Sequence, residues 1–129
     1  MLQIGIKGEA RCVVSNENTA ATHASGALAV FATPAMIALM EQAANDCVYP
    51  YLEKGQSTVG TLLNVKHLAA TPLGMTVRAE CELIEIDRRR LVFAVSAYDD
   101  REKIGEGLHE RFVIDSERFM AKLRAKAEK

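Results

Sequence analysis

The chain has 129 residues, of which 49% are hydrophobic, and its charges nearly cancel to a formal net charge of −1. This length indicates one domain, residues 1–129, with enough apolar residues to form a core. The near-neutral charge and the 5% aromatic content exclude a basic or base-stacking surface for nucleic acid, or a basic one for anionic membranes. No apolar run approaches the roughly 20 residues of a membrane-spanning helix, so we expect a cytoplasmic protein.

The three cysteines, Cys12, Cys47 and Cys81, are widely spaced and odd in number. No pair has the short spacing of a zinc site or a redox motif. We expect three reduced, mostly buried thiols that pack as small apolar side chains. The sequence also lacks a metal-ligand set, a Gly-rich phosphate loop and a nucleophile elbow, so we expect neither a metal nor a separate cofactor.

The clearest element of the sequence is a long helix that follows a short strand at residues 9–15 and a polar loop. We predict Thr33 as its N-cap, with Pro34 in the first turn, where the missing N–H has no cost. Apolar residues then recur every three or four positions, which predicts one buried face. Pro50 should end or kink this helix.

Beyond the helix the apolar period changes from about 3.6 to two. Four consecutive strands are predicted, at residues 57–68, 75–83, 91–98 and 104–114. Short turns between them indicate an antiparallel meander, and Asp115 or Ser116 should cap a charged terminal helix. Because nothing else is large enough to cover the long helix, it must pack on the sheet. The predicted fold class is therefore α+β, a long central helix wrapped by a curved antiparallel sheet, plus a C-terminal helix.

Glu41 is a carboxylate inside the apolar helix. At 100° per residue it lies about 80° from the centre of the buried stripe, at the border of the buried face. A carboxylate at this border is partly removed from water. Periodicity alone favours a solvated or salt-bridged edge residue, with a functional group as the alternative.

Three more polar positions do not fit the strand pattern simply. His67 shares a strand face with Val65, which predicts a half-buried histidine, either bonded to backbone or functional. Gly60 interrupts the same strand, which indicates a bulge or the close approach of a ligand. Arg111 shares a face with His109 and should point inward or into an interface, to pair with a carboxylate or a substrate.

Four segments in this order resemble the fluoroacetyl-CoA thioesterase-like branch of the hotdog-fold thioesterases: VFATPAMIALMEQAA, STVGTLLNVKHLAATPLGM, RRRLVFAVSAYD and EKIGEGLHERFVID. The resemblance extends from about Val30 to the terminal helix. It implies a hotdog fold and hydrolysis of an acyl-CoA thioester to the free acid and coenzyme A, which enters only as part of the substrate. It also implies that Thr33, Glu41 and His67 are catalytic residues. The two residues that it implies as substrate contacts are Gly60 and Arg111.

The stretch SGALAVFAT departs from the fluoroacetyl-specific members of that branch, because Gly26 and Ala27 replace bulky aromatic and proline residues. We therefore expect a general acyl-CoA thioesterase without strict fluoroacetyl selectivity. The resemblance implies a homodimer or a higher homo-oligomer with the site at the interface. The alternative is a hotdog module that binds acyl-CoA without hydrolysing it, although a pure binder needs no catalytic triad. A hydratase would need a closely spaced aspartate and histidine near the helix, and no such pair is present.

Overall fold

The computed structural model describes residues 1–128, which form five strands, two helices and a short 3₁₀ turn. In chain order these are β1 (Lys7–Val13), α1 (Thr33–Val48), the 3₁₀ turn (Tyr49–Tyr51), β2 (Gln56–His67), β3 (Thr76–Asp87), β4 (Arg90–Tyr98), β5 (Lys103–Asp115) and α2 (Ser116–Ala127). All the predicted elements are present. Pro50 lies in the 3₁₀ turn, which confirms that the long helix ends there.

The strands form one antiparallel sheet in the order β1-β3-β4-β5-β2. The predicted meander of four consecutive strands is wrong at its first member, because β2 pairs with β5 and not with β3. Residues 68–75 connect β2 to β3 and can span up to about 26 Å, more than the three strand spacings of about 14 Å to be crossed. β1 occupies the other side of β3, and β2 is left at an edge of the sheet.

Helix α1 lies across one face of this sheet and contacts β1, β2, β3 and β4. The approach to β1 is close, because a Cβ added at Gly8 would lie 2.6 Å from the Ala43 carbonyl oxygen and from Cβ of Cys47. Only glycine leaves room for the helix at that point. The α+β fold, with a long helix wrapped by a curved sheet, is therefore confirmed. The buried side chains of α1 are Met36, Leu39, Met40, Ala43, Ala44, Cys47 and Val48.

The pairing of β2 with β5 contains a register shift between Gly60 and Leu62. This bulge confirms one of the two roles predicted for Gly60. An extra residue reverses which side chains face the core. Thr58, which unbroken alternation places on the opposite face from His67, is consequently buried at 7% exposure. The prediction of continuous alternation along β2 was wrong for this reason.

Helix α2 begins as predicted, with Asp115 as its N-cap. The Asp115 carboxylate accepts a hydrogen bond of 3.0 Å from the backbone N–H of Arg118. The helix packs only lightly on β5, and Met120 and Leu123 on it are 48% and 41% exposed.

The three cysteines are free thiols, as predicted. Cys47 and Cys81 are buried and Cys12 is half-buried. Their burial agrees with packing as small apolar side chains.

Candidate active site

Thr33 and His67 meet where the first turn of α1 reaches the end of β2. Oγ1 of Thr33 lies 2.7 Å from Nδ1 of His67. The N-cap of α1 is Ala32, which makes no side-chain capping bond, so the predicted N-cap role of Thr33 is wrong. The helix starts one residue earlier than that prediction requires, and the Thr33 hydroxyl bonds the imidazole instead of the free N–H groups of the first turn.

The imidazole of His67 is half-buried, as predicted, and burial lowers its pKa, although the nearby backbone of Ala69 acts in the opposite direction. His67 is therefore neutral at pH 7 and can exchange a proton with the Thr33 hydroxyl. Nε2 of His67 is buried and has no hydrogen-bond partner among residues 1–128. Buried polar atoms are nearly always paired, so this nitrogen is a candidate contact for a substrate or a partner group.

Glu41 lies further along α1, over β2 and β5. Its side chain is 40% exposed, and Oε2 lies 3.6 Å from Nη1 of Arg111. Gly60 faces the same carboxylate, because a Cβ added at Gly60 would collide with Oε2 of Glu41. The predicted border position of Glu41 is confirmed, and its carboxylate is both paired with a cation and accessible to solvent.

Arg111 points inward, as predicted, and is 7% exposed. Its Nε donates to Oγ1 of Thr58 at 2.8 Å, and its Nη2 donates to the Thr58 carbonyl at 3.0 Å. Nη1 lies 3.2 Å from Nε2 of His109. Thr58 in turn donates to Oδ1 of Asn45 at 3.1 Å, so a chain of hydrogen bonds joins β5, β2 and α1. Burial lowers the pKa of Arg111 while Glu41 raises it, and a guanidinium remains charged at neutral pH.

The contact of Arg111 with Thr58, and through Thr58 with Asn45, was not predicted from the sequence pattern. Continuous alternation along β2 assigns Thr58 to the wrong face, and the helical position of Asn45 is that of a surface residue. One signal was available: an inward-facing arginine requires acceptors for its donors. If a bulge had been assigned at Gly60, the strand pattern would also have predicted that Thr58 faces the arginine.

The five predicted site residues form two groups and not one. Thr33 contacts His67, whereas Glu41 lies with Gly60 and Arg111. Glu41 follows Thr33 by eight residues on α1, which is about 12 Å along the helix axis. Within one chain, the structure therefore places the residues of each group close together but keeps the two groups apart.

A cavity of about 310 Å³ adjoins Thr33 and His67. Its other walls are mostly small or apolar, formed by Ala20, Ser25, Val30, Phe31, Leu68, Ala69 and Ala70. A larger cavity of about 1010 Å³ lies on the sheet face opposite α1, and it includes none of the predicted site residues. Ligand sites combine apolar walls with a few convergent polar groups, and on this criterion the smaller cavity is the candidate active site.

Among residues 1–128, no group of three or more His, Cys, Asp or Glu side chains is placed to hold a metal ion. None of the helices described is long and apolar enough to cross a membrane.

Comparison with known proteins relates the sequence and the fold of the chain to one family. The family model for the fluoroacetyl-CoA-specific thioesterase matches residues 14–117. A fluoroacetyl-CoA thioesterase from Streptantibioticus cattleyicolor is 50% identical over 97 residues, which cover 75% of this chain and 70% of that protein. A solved structure of a fluoroacetyl-CoA thioesterase is 39% identical, with a TM-score of 0.92 and 99% of each chain covered. A hot-dog-like protein from Thermanaerovibrio acidaminovorans is 25% identical, with a TM-score of 0.91, 99% of this chain and 95% of that chain covered.

The helix wrapped by an antiparallel sheet and these relatives define a hotdog-fold thioesterase. The chain belongs to the fluoroacetyl-CoA-specific thioesterase family and is a thioester hydrolase. The fold and the class of activity predicted from the sequence are thereby confirmed. The roles of Thr33, Glu41, His67, Gly60 and Arg111 stay predictions.

Proposed function

We propose that the protein hydrolyses acyl-CoA thioesters to the free acid and coenzyme A, without strict selectivity for the fluoroacetyl group. The observation that carries this proposal is the hydrogen bond between Thr33 and neutral His67 beside a cavity of about 310 Å³. A hydroxyl and an imidazole in this contact are a means of orienting or activating a reactant for acyl transfer. The relatives named for fluoroacetyl-CoA support a coenzyme A thioester as the substrate.

The small residues around the cavity support the broad acyl range. Ala20 and Ser25 line it, and a Cβ added at the neighbouring Gly26 would lie 3.4 Å from Cβ of Ala20. Each methylene removed from a pocket wall gives an acyl chain more room. We expect the protein to accept acyl groups larger than fluoroacetyl, and Ala20→Leu to exclude those larger groups while acetyl-CoA is still hydrolysed.

We propose that two copies of the chain pair through β2 and together complete the site. β2 is an edge strand, and an edge strand presents unpaired backbone groups to a second chain. Antiparallel pairing of two β2 strands about a two-fold axis near Leu63 sets the Gly60 region of one copy beside the His67 region of the other. Glu41 of the partner subunit then approaches Thr33 and His67, and the buried Nε2 of His67 gains a possible partner.

In the proposed reaction, the Glu41 carboxylate removes a proton from a water molecule, and the oxygen of that water attacks the thioester carbon. The Thr33 hydroxyl, oriented by His67, holds this water by a hydrogen bond. The tetrahedral intermediate then releases the coenzyme A thiolate as the C–S bond breaks. The proton held by Glu41 returns to the sulfur, so the products are one carboxylic acid and one thiol.

Backbone N–H groups beside Gly60 are proposed to bind the oxyanion of the intermediate. The absence of a side chain at Gly60 leaves the strand backbone open to the thioester, next to Glu41. The positive charge of Arg111 lies 3.6 Å from the same carboxylate and compensates the negative charge of this region. Losing one oxyanion donor would cost about 3–4 kcal/mol in the barrier.

A cytoplasmic location is part of this proposal. It is supported by three free thiols, which are typical of proteins in a reducing compartment.

The experiment that tests the function is thiol release from a panel of acyl-CoAs, from acetyl and fluoroacetyl to hexanoyl and benzoyl. Wild type is compared with Glu41→Ala and His67→Ala, and Gln42→Ala is the control on an exposed neighbouring position of α1. We expect turnover of several acyl groups by wild type and Gln42→Ala, and a loss of about 10²–10⁴-fold in the two site variants. Equal rates in all four proteins would refute the site. Tight acyl-CoA binding with no turnover of any thioester would favour the non-catalytic binding module.

A further inference from the structure

We propose that His109 is a positioning residue for the reaction, a neutral imidazole that holds the Arg111 guanidinium toward Glu41. The proposal rests on the function proposed above. His109 is fully buried at 0% exposure, yet both of its ring nitrogens have partners. Nδ1 lies 2.9 Å from the Leu62 carbonyl oxygen, and Nε2 lies 3.2 Å from Nη1 of Arg111. The ring also stacks on Phe93, with centroids 6.0 Å apart and planes at 29°.

These two partners determine the tautomer of His109. A carbonyl oxygen only accepts, so Nδ1 must carry the hydrogen and donate it to Leu62. A guanidinium only donates, so Nε2 must be unprotonated and accept from Arg111. The contacts are therefore satisfied together only by the neutral ring with its hydrogen on Nδ1.

The contact with His109 determines where the remaining donor of Arg111 is directed. Nε and Nη2 are both engaged by Thr58, and Nη1 carries two hydrogens. One of these hydrogens is accepted by His109, which leaves the other for Oε2 of Glu41 at 3.6 Å. Removing the acceptor would free Nη1 to shift relative to the carboxylate. The imidazole thus controls the position of the charge that faces Glu41.

His109 also supports the bulge on which Gly60 lies. The Leu62 carbonyl that accepts from Nδ1 belongs to the residue at which the register shift ends. A Cβ added at Gly60 would lie 3.3 Å from Cε1 of His109 and would collide with Glu41. One buried ring therefore contacts the bulge, the arginine and the space beside the carboxylate, without itself reaching a substrate.

The charged groups that act on His109 are Arg111 and Glu110 on β5 and Glu41 on α1. Burial is the main cause that lowers the pKa of His109, and Arg111 lowers it further. The Leu62 carbonyl, Glu41 and Glu110 act in the opposite direction. Protonation at low pH would turn Nε2 into a donor and place a second cation against Arg111, so the arrangement around Glu41 is lost in acid.

Two conservative variants separate positioning of Arg111 from support of the strand. The amide oxygen of glutamine reaches the place of Nε2 and can accept from Arg111, so we expect His109→Gln to keep most of the activity. The amide nitrogen of asparagine corresponds to Nδ1 and can donate only to Leu62. We expect His109→Asn to lose on the order of 10²-fold in kcat/KM for acetyl-CoA, the effect of a misplaced site group. Reversal of this order, or equal activity of the two variants, would overturn the proposal.

The pH dependence of kcat/KM and the nuclear magnetic resonance spectrum of His109 distinguish a positioning role from a purely structural one. The decrease of kcat/KM at acidic pH should be smaller in His109→Gln than in wild type, because the glutamine cannot take up a proton. In ¹⁵N-labelled wild type at pH 7, the buried imidazole should show a protonated Nδ1 and an unprotonated Nε2. The opposite tautomer or a charged ring would overturn the proposal even if no acyl-CoA were hydrolysed. Absence of turnover with the expected tautomer would instead refute the proposed function alone.

Discussion

Oγ1 of Thr33 lies 2.7 Å from Nδ1 of His67, although the two residues are 34 positions apart in the sequence. The contact exists because α1 begins at Thr33 and β2 ends at His67, and these two ends are neighbours in the fold. Thr33 is exposed whereas His67 is half-buried. The pair thus presents a polarised hydroxyl to the cavity of about 310 Å³.

The first prediction concerns the Thr33 hydroxyl. Thr33→Val keeps the shape of the side chain and removes the contact with His67, so we expect kcat to fall by about 10²-fold or more. Because Ala32 and not Thr33 is the N-cap of α1, the free energy of unfolding should change by no more than about 0.5 kcal/mol. Thiol release and thermal unfolding measure the two effects.

Thr33→Ser is the matched control, because it retains the hydroxyl and loses only a methyl group. It should keep far more activity than Thr33→Val. If the valine variant hydrolyses acetyl-CoA as fast as the serine variant, the hydroxyl has no part in the reaction. A loss of stability comparable with that of a true N-cap, about 1 kcal/mol, would show that our account of the helix start is wrong.

The second prediction concerns Gly60. A Cβ at this position would collide with Oε2 of Glu41, which is the end of a flexible side chain that can move aside. Gly60→Ala should therefore displace the carboxylate and lower kcat/KM by on the order of 10²-fold. Stability should change little, because no backbone has to move.

Gly107→Ala is the comparison for Gly60→Ala. A Cβ at Gly107 would collide with the backbone of β2 at Asn64 and Val65, and backbone cannot move aside without disturbing the sheet. We expect this variant to unfold at a clearly lower temperature than wild type. Should Gly60→Ala lose as much stability as Gly107→Ala while keeping its activity, Gly60 has a structural role and not one in the site.

The third prediction concerns the pH dependence of stability. Burial lowers the pKa values of both His67 and His109 in the folded protein. Below the ordinary histidine pKa of about 6.5 the unfolded chain therefore binds more protons than the folded chain. The stability contributed by the two neutral rings is fully present above that pH and is lost as the pH falls toward the folded pKa values. Thermal unfolding between pH 8 and pH 5 should show this decrease.

Replacing the histidines one at a time assigns the decrease. His67→Gln and His109→Gln each remove one titrating ring, so each should flatten the dependence of the unfolding temperature on pH between about 6.5 and 5. His23→Gln is the control, since that histidine is exposed in the loop before α1. An unchanged slope in both variants would mean that neither ring is protonated on unfolding in this range.

The sequence predicted each element of the fold but not the order of the strands. Apolar periods of 3.6 and two are local properties, and they identified α1 and the strands directly. Pairing depends on how the chain crosses between elements, and no local period records that residues 68–75 carry it from β2 to the far side of β4 and β5. The bulge after Gly60 reversed one strand face for a related reason, since a single extra residue changes alternation without changing composition.

The site residues were predictable to different degrees. Helical geometry alone placed Glu41 at the border of the buried face, and strand alternation alone turned Arg111 inward. The contact of Thr33 with His67 requires the start of α1 to meet the end of β2, and only the family resemblance implied that these two residues share a site. The division into two groups was not predicted, because the order of residues along a chain does not show which of them lie close together in the fold.

The last prediction tests whether the site is shared between two copies. Within one chain Glu41 is about 12 Å along α1 from Thr33, and β2 is an edge strand that a second copy can pair with. If the site combines His67 of one subunit with Glu41 of the partner subunit, Glu41→Ala and His67→Ala are each inactive alone. A mixed dimer of the two variants contains one site with both replacements and one site with neither.

Co-expression of the two variants should therefore restore activity, and a different tag on each variant allows the mixed dimers to be purified. Random pairing makes half of the dimers mixed, and half of their sites are intact, so the unfractionated mixture should reach about a quarter of the wild-type kcat per chain. The control is a chain with both replacements co-expressed with wild type. If the site lies within a chain, its mixed dimers contain one wholly altered site and one intact site. If the site is shared, each site of these dimers carries one replacement and neither is intact. A mixture of the single variants that stays inactive, although mixed dimers are recovered, would place the complete site in one chain and would end the shared-site proposal.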